Sequence, residues 1–295
     1  MRILITGGSG ILGYFLNIRL SEKHNILTTY HNNPGNCSQF NSVKLNLGDT
    51  EEIKKIFHDF SPDAVIHTAA YSRPDICSVL SREEVFRVNT KSTEELSRLC
   101  EKNNSLLVFT STDLVYDGFA GSMHKEDAKL NPVSLYTESK VEAEKSIDNV
   151  FSNYVILRTS LLYGIGLNDS VNNFHKMYNN FKAGKPWRLF YDQFRTPLSL
   201  INASEIIEHI LNLKIQGEII NFGGKQRVSR VELGEILCDI AGFDKSLIER
   251  ISMDDVSGQQ QVPDVSLNTD KLRSYGIEQK SIEESIYEIL KLENG

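Results

Sequence analysis

The sequence predicts an α/β fold, a doubly wound parallel sheet carrying a smaller C-terminal lobe. Three observations lead there. The opening stretch MRILITGGSGILGYFLNIRL reads as strand, glycine turn and helix. Short apolar runs then alternate with helical stretches as far as residue 160, and such repeats impose right-handed crossovers and parallel strands. Beyond residue 160 the regularity fades into scattered helices with irregular links.

Arg2-Ile3-Leu4-Ile5-Thr6 leaves no room for a charged face, which is the pattern of a strand buried on both sides. After the glycines, Leu12, Phe15, Leu16 and Leu20 recur at helical spacing. Gly7 takes the tight turn, Gly10 lets the backbone approach a pyrophosphate, and Gly13 lets the helix lie close to the sheet. The helix N-terminus offers N–H groups and a positive dipole end to that anion. An ordinary glycine-rich turn is the alternative, but the flanking strand and helix are what a phosphate site requires. The glycines at 7, 10 and 13 are spaced G-x-x-G-x-x-G, which resembles the cofactor loop of the short-chain dehydrogenase superfamily, a Rossmann fold.

Asn25 to Tyr30 reads as the second strand. Nicotinamide enzymes often place an Asp or Glu near this strand's end to bind the ribose 2′-OH. Here Tyr30, His31, Asn32 and Asn33 stand there. No carboxylate repels a 2′-phosphate and no Arg or Lys attracts one, so NADP(H) is preferred and NAD(H) stays open. Leu45 to Asp49 is expected to end a third strand, and the superfamily resemblance implies that Asn46 and Leu47 lie beside the adenine. A helix over 50–59 follows, with Thr50 as its cap and Glu51 and Glu52 in its first turn.

Asp63 to Ala70 is the next buried strand and its exit; Ala69 and Ala70 are small enough for a cofactor to pass closely. His67, a single His in an apolar strand, is expected to be a satisfied core residue. Residues 82–102 form a helix with Asn89 near its start, and Ser105 to Thr110 is a strand running into Ser111-Thr112-Asp113. Tyr154 to Thr159 is a further strand, Phe174 to Ala183 a helix, and Trp187 to Tyr191 a short strand. Pro197–Ile201 and Ser204–Leu213 look like a return to the main domain. Residues 1–160, with 196–222 returning, are therefore expected to form the dinucleotide-binding domain. Residues 161–195 and 223–295 are expected to form a smaller substrate lobe closing over the carboxyl edge of the sheet.

Composition sets the outer bounds. A chain of 295 residues, 40% hydrophobic and 24% charged, buries a sizeable core. Its formal charge of −7 and lack of a Lys/Arg-rich run argue against a nucleic-acid partner. No apolar run reaches membrane-spanning length, and the chain enters a strand at once with no signal peptide, so a cytoplasmic protein is expected. Cys37, Cys77, Cys100 and Cys238 form no CxxC pair and are expected as reduced thiols. The histidines show no HExxH spacing, and no metal is expected.

Tyr136-Thr137-Glu138-Ser139-Lys140 is Y-x-x-x-K, which on a helix puts both side chains on one face. A tyrosine near its ordinary pKa of about 10 can donate to a carbonyl oxygen. A neighbouring lysine favours the phenolate that results, and a hydroxyl from Thr112 can hold the same oxygen. The pattern also occurs at Tyr178/Lys182 and Tyr287/Lys291. Only Tyr136 follows the glycine-turn domain and a strand ending in a hydroxyl; the other two are expected on solvated helix faces.

Three runs now resemble one family: Ser111 to Gly118 (STDLVYDG), Leu135 to Lys140 (LYTESK) and Leu157 to Ser160 (LRTS). They are similar to the dTDP-4-dehydrorhamnose reductases, extended short-chain dehydrogenases that reduce the C4 ketone of a nucleotide sugar with NADPH or NADH. Asp192 to Pro197 (DQFRTP) and Asp264 to Leu272 match wider patterns of that family. The resemblance implies that Thr112, Tyr136 and Lys140 are catalytic and that Asp113 meets the sugar. It implies that Gly10, Ile11, Leu12, Asn46, Leu47, Ala70, Tyr71 and Ser72 line the cofactor, with Asn89 orienting the active site. Arg195 is expected to hold the substrate pyrophosphate through its planar fork, or else to pair with Asp192 or Glu205.

Leu161 stands where these reductases usually carry Trp, and Gln261-Val262-Pro263 where they often carry Arg-Pro, which leaves the particular sugar open. A nucleotide-sugar epimerase or dehydratase is the second enzyme reading, against which Leu114 follows Asp113 where the dehydratases tend to carry an extra acid. Arg73-Pro74-Asp75 also resembles the regulatory β subunit of methionine adenosyltransferase, which keeps a non-catalytic NADP-binding role in view. A homodimer is among the expected assemblies.

Overall fold

The structure, a computed structural model, describes residues 1–166, 172–256 and 261–293. It divides into two compact units, one of 1–115, 131–158 and 204–220 and one of 116–130, 159–203 and 221–295.

The first unit opens as its sequence dictates. β1 (Arg2–Thr6) passes through the glycine turn into α1 (Ile11–Ser21), and β2 (Asn25–Tyr30) follows. β3 is only Ser42–Lys44, shorter than expected. The chain leaves the sheet there because Asp49 turns back to cap α2 (Thr50–Phe60), accepting from the N–H groups of Glu51 and Glu52 at 2.9 and 3.2 Å. The cap is therefore Asp49, one residue before the expected Thr50; Asp at this position satisfies two of the helix's unpaired donors.

β4 (Ala64–His67) leads through the short α3 (Pro74–Cys77) to α4 (Arg82–Phe86) and α5 (Ser92–Asn103). The single helix expected over 82–102 is interrupted by a π-helical turn at Arg87–Lys91. Such a bulge turns a residue off the regular helix face, and here it carries the buried Asn89. β5 (Leu106–Thr112), α6 (Leu135–Asp148) and β6 (Tyr154–Thr159) complete the repeats. α6 starts at a capping box of Ser134 and Thr137, which fixes the register of the Y-x-x-x-K run.

The remaining elements in order are β7 (Leu162–Tyr163), α7 (Asn173–Lys182), β8 (Trp187–Phe190), β9 (Phe194–Arg195), β10 (Leu198–Ser199) and α8 (Leu200–Asn212). β11 (Glu218–Phe222), β12 (Val228–Ser229), α9 (Arg230–Ala241), β13 (Ile248–Ile251), α10 (Asp270–Ser274) and α11 (Ile282–Glu293) follow.

The sheet runs β11-β6-β5-β4-β1-β2-β3, a doubly wound order whose direction of winding reverses between β1 and β4. β3-β2-β1-β4-β5 pair in parallel, with Ile3 opposite both Ile26 and Ala64. Leu4, Val65, Leu107 and Phe109 alternate to one face and form a buried core with Ile53 and Phe57 of α2, Leu96 of α5 and Ile147 of α6. α1 is tied to α8 by Arg19, whose guanidinium meets Glu205 and Glu208 at 3.1 Å each.

The second unit is held by short strand pairs. β8 and β13 are parallel, β9 and β12 antiparallel, and β7 and β10 parallel. Tyr178 of α7 is buried against Phe243, contrary to the solvated position expected for it; Tyr287 is exposed as expected. Among the described residues no helix is long and apolar enough to cross a membrane.

Candidate active site

The turn after β1 is built by close backbone approach. Gly7 has φ +76°, a left-handed conformation that disfavours any side chain. A Cβ on Gly13 would stand 2.3 Å from Gly7 O and 2.6 Å from Gly8 Cα. Gly8 is equally committed, since a Cβ there would strike Thr28 Oγ1. Gly10 differs: its φ and ψ of −75° and 167° are ordinary, and its added Cβ would meet only Gly7 O, at 3.1 Å. No side chain caps α1 at Gly10 and no acidic residue occupies its first turn. The turn therefore presents a positive dipole end with open space on the Gly10 side, and a pyrophosphate fits that chemistry.

Other expected cofactor residues surround this edge of the sheet. Tyr30, half-buried at the end of β2, accepts from Leu45 N at 2.9 Å. Asn46 closes a tight turn onto Gly48 N at 3.0 Å, while Leu47 packs in the core. Ala69 lies against Gly7, whose added Cβ would be 2.8 Å from Ala69 N. Ala70 and Tyr71 are half-buried and Ser72 exposed.

Asn89 binds this exit from β4 to the Y-x-x-x-K helix. Its Oδ1 accepts from Tyr71 N at 2.8 Å, and its Nδ2 donates to Tyr71 O at 3.1 Å and to Ser139 Oγ at 2.9 Å. Ser139 in turn donates to Tyr136 O at 2.7 Å, and Thr90 Oγ1 donates to Ser139 O at 3.0 Å.

Tyr136 and Lys140 share a face of α6 and are almost fully buried, at 7% and 3% exposure. Burial pushes the Tyr136 pKa up, the nearby Thr112 side chain at the end of β5 pulls it back, and Asp113 and Cys77 add to the rise. Thr112 Oγ1 accepts from Leu114 N at 3.2 Å and stands 3.4 Å from Asp113 Oδ1, so its lone pairs and proton are oriented by the turn that follows β5. Lys140 Nζ lies 4.0 Å from the centre of the Phe109 ring. Burial pulls its pKa down to about 7, against an opposing pull from Glu144. Cys77, Val85 and Tyr71 pack around Tyr136 and keep it from water.

His67 is the satisfied core residue expected. Its Nδ1 is 2.6 Å from Thr6 Oγ1 and its Nε2 3.0 Å from Thr93 Oγ1, and burial lowers its pKa to about 3, so it is neutral. In the second unit Arg195 is 5% exposed, and its Nη1 donates to Phe194 O at 2.7 Å and Val262 O at 3.2 Å. Asp192 accepts from Ser252 and Met253, and Glu205 from Arg19. Sequence reasoning passed over Gly8, Ser139 and Glu144. The last had a signal, since Tyr136, Lys140 and Glu144 follow one another at four-residue steps along a single helix face.

A family model described as RmlD substrate binding domain matches residues 1–294. A probable low-salt glycan biosynthesis reductase of Haloferax volcanii is 27% identical over 261 residues, 87% of this chain and 85% of that protein. Methionine adenosyltransferase 2 subunit beta of Mus musculus is 24% identical over 302 residues, 98% of this chain and 88% of that protein. The solved structure of dTDP-4-dehydrorhamnose reductase from Bacillus anthracis in complex with NADP superposes with a TM-score of 0.83 at 20% identity, over 99% of this chain and 98% of that one.

Proposed function

The chain belongs to the RmlD substrate binding domain family, and from that premise we propose that it is a reductase that uses NADPH, and NADH less well, on the 4-keto group of a nucleotide-linked deoxysugar. The observation that carries this reading is the burial of Tyr136 beside Thr112 with Lys140 one helical turn away. Two hydroxyls and a lysine gathered in one buried place are what a ketone oxygen needs when it becomes an alcohol.

In this reading Gly7, Gly10 and Gly13 with the α1 N-terminus hold the dinucleotide pyrophosphate, and Ala69 to Ser72 run beside the nicotinamide end. The bound nicotinamide supplies the hydride. Tyr136 donates a proton to the ketone oxygen, and Thr112 holds that oxygen in line. The Lys140 ammonium lowers the energy of the phenolate left on Tyr136. Asn89 keeps Tyr71 and α6 in register, so that cofactor edge and proton donor stay aligned. Asp113 and Arg195 are assigned to the sugar and its pyrophosphate.

The test is NADPH oxidation by the purified protein alone, followed across a panel of 4-keto sugar nucleotides. Turnover with one of them supports the reading, and none across the panel sinks it. Similarity to a subunit named for methionine adenosyltransferase over 98% of this chain favours one second reading, a cofactor-binding regulatory subunit. That reading expects tight NADPH binding without turnover.

A further inference from the structure

Below the Y-x-x-x-K pair lies a buried charge cluster. Glu144 of α6 is 4% exposed and Arg158 of β6 is 3% exposed. Arg158 Nη2 and Nε donate to Glu144 Oε2 at 2.8 and 3.2 Å. Ser111, the residue before Thr112, donates its hydroxyl to Glu144 Oε1. One carboxylate is thus fixed from both sides of the site, by the strand that carries Thr112 and on the helix that carries Tyr136 and Lys140.

Resting on the reductase reading above, we propose that Glu144 is a positioning residue for the proton relay. It holds the Lys140 ammonium charged and aimed along the helix face at Tyr136. A lysine this deeply buried sheds its proton to escape desolvation unless an opposite charge stands near. Residues four apart on a helix have Cβ atoms about 5–6 Å apart, and both residues are buried. Phe109 adds its ring face beneath the ammonium. His67 of β4 also faces Lys140, but it is neutral and offers no counter-charge. Arg158 carries the same sign as Lys140 and lies beyond Glu144, with its guanidinium turned onto the carboxylate. An ion pair in this position is a poor device for stability alone, because apolar residues of similar volume serve as well or better. Its location under the reacting groups is what gives it a use.

The test reads Lys140 directly. Protein labelled with ¹³C-lysine is titrated by NMR, with the Lys140 signal identified by its loss in Lys140→Met. Glu144→Gln keeps the volume and an acceptor for Ser111 but removes the charge. Its Lys140 midpoint should fall by about one pH unit or more. Glu144→Asp, which keeps the charge, should restore most of that shift. If Glu144→Gln does not fold, Glu144→Gln/Arg158→Met removes both charges and should show a smaller fall in the same direction, since a repelling cation goes with the carboxylate. An unchanged midpoint in the folded variant overturns the proposal. In active enzyme the alkaline limb of kcat should move to lower pH with the midpoint, because a neutral Lys140 no longer supports the phenolate; a limb that stays in place also overturns it. Failure of the reductase reading is seen separately, as wild-type protein that titrates normally but turns over no keto sugar.

Discussion

Substitutions at Gly13 and Gly10 should separate what the glycine turn does for the fold from what it does for a ligand. An alanine Cβ at Gly13 would be 2.3 Å from Gly7 O, where 3.4 Å is ordinary contact, so turn and helix must part by about 1 Å. Its three nearest atoms are all backbone, and none can rotate away. Overpacking of this kind costs about 1–3 kcal/mol. Removing a helical glycine returns about 0.5–1 kcal/mol. The middle of each range leaves a net loss of about 1 kcal/mol, a melting temperature lower by about 2–4 °C. Gly10→Val meets only Gly7 O at 3.1 Å in an ordinary extended conformation, so its stability should stay within about 1 kcal/mol of wild type. Its side chain fills the open side of the turn, so NADPH affinity should fall at least tenfold. Urea unfolding gives the first quantity and fluorescence titration of NADPH the second. A Gly13→Ala protein as stable as wild type would refute the packing argument; Gly10→Val with unchanged affinity would refute the phosphate site.

Other outcomes follow from the same geometry. Tyr136→Phe should lower kcat by about 10²–10⁴-fold, whereas Tyr178→Phe and Tyr287→Phe should leave it within a few-fold; the reverse pattern defeats the assignment of the proton donor. NADPH should give a higher kcat/KM than NADH, since no carboxylate stands at Tyr30 to Asn33, and a large preference for NADH would mean that an acidic residue elsewhere reads the ribose. His67 titrates near 6.5 when unfolded and near 3 when folded. The unfolded chain therefore binds the extra proton between those values, and stability falls as pH drops below about 6.5. From pH 7 to pH 5 this group should remove about 2 kcal/mol, a loss absent in His67→Gln; equal losses in both proteins would exclude it. Arg195→Lys should raise KM for the sugar nucleotide with cofactor affinity unchanged, while a lower melting temperature with unchanged KM would assign Arg195 to holding the fold.

The parts of this protein that sequence alone determined are those written in local pattern. β2 and β6 begin and end where their apolar runs do, and the strand–turn–helix at the N-terminus follows from its glycines and the spacing of its leucines. The common face of Tyr136 and Lys140 is fixed by helical geometry and by a capping box of Ser134 and Thr137. Three copies of Y-x-x-x-K are alike locally, and what separates them is contact at a distance in sequence. Thr112 reaches Tyr136, Phe243 buries Tyr178, and Tyr287 is left to solvent. The same holds for the π-helical turn that brings Asn89 onto Tyr71 and Ser139, and for Arg158 closing on Glu144. Periodicity reports which face a residue takes, but not which partner meets it there. Protonation is decided last of all. Lys140 is pulled toward neutrality by burial and held back by Glu144, and both are properties of the packed tertiary structure, because a charge responds to the medium and the charges around it rather than to its neighbours along the chain.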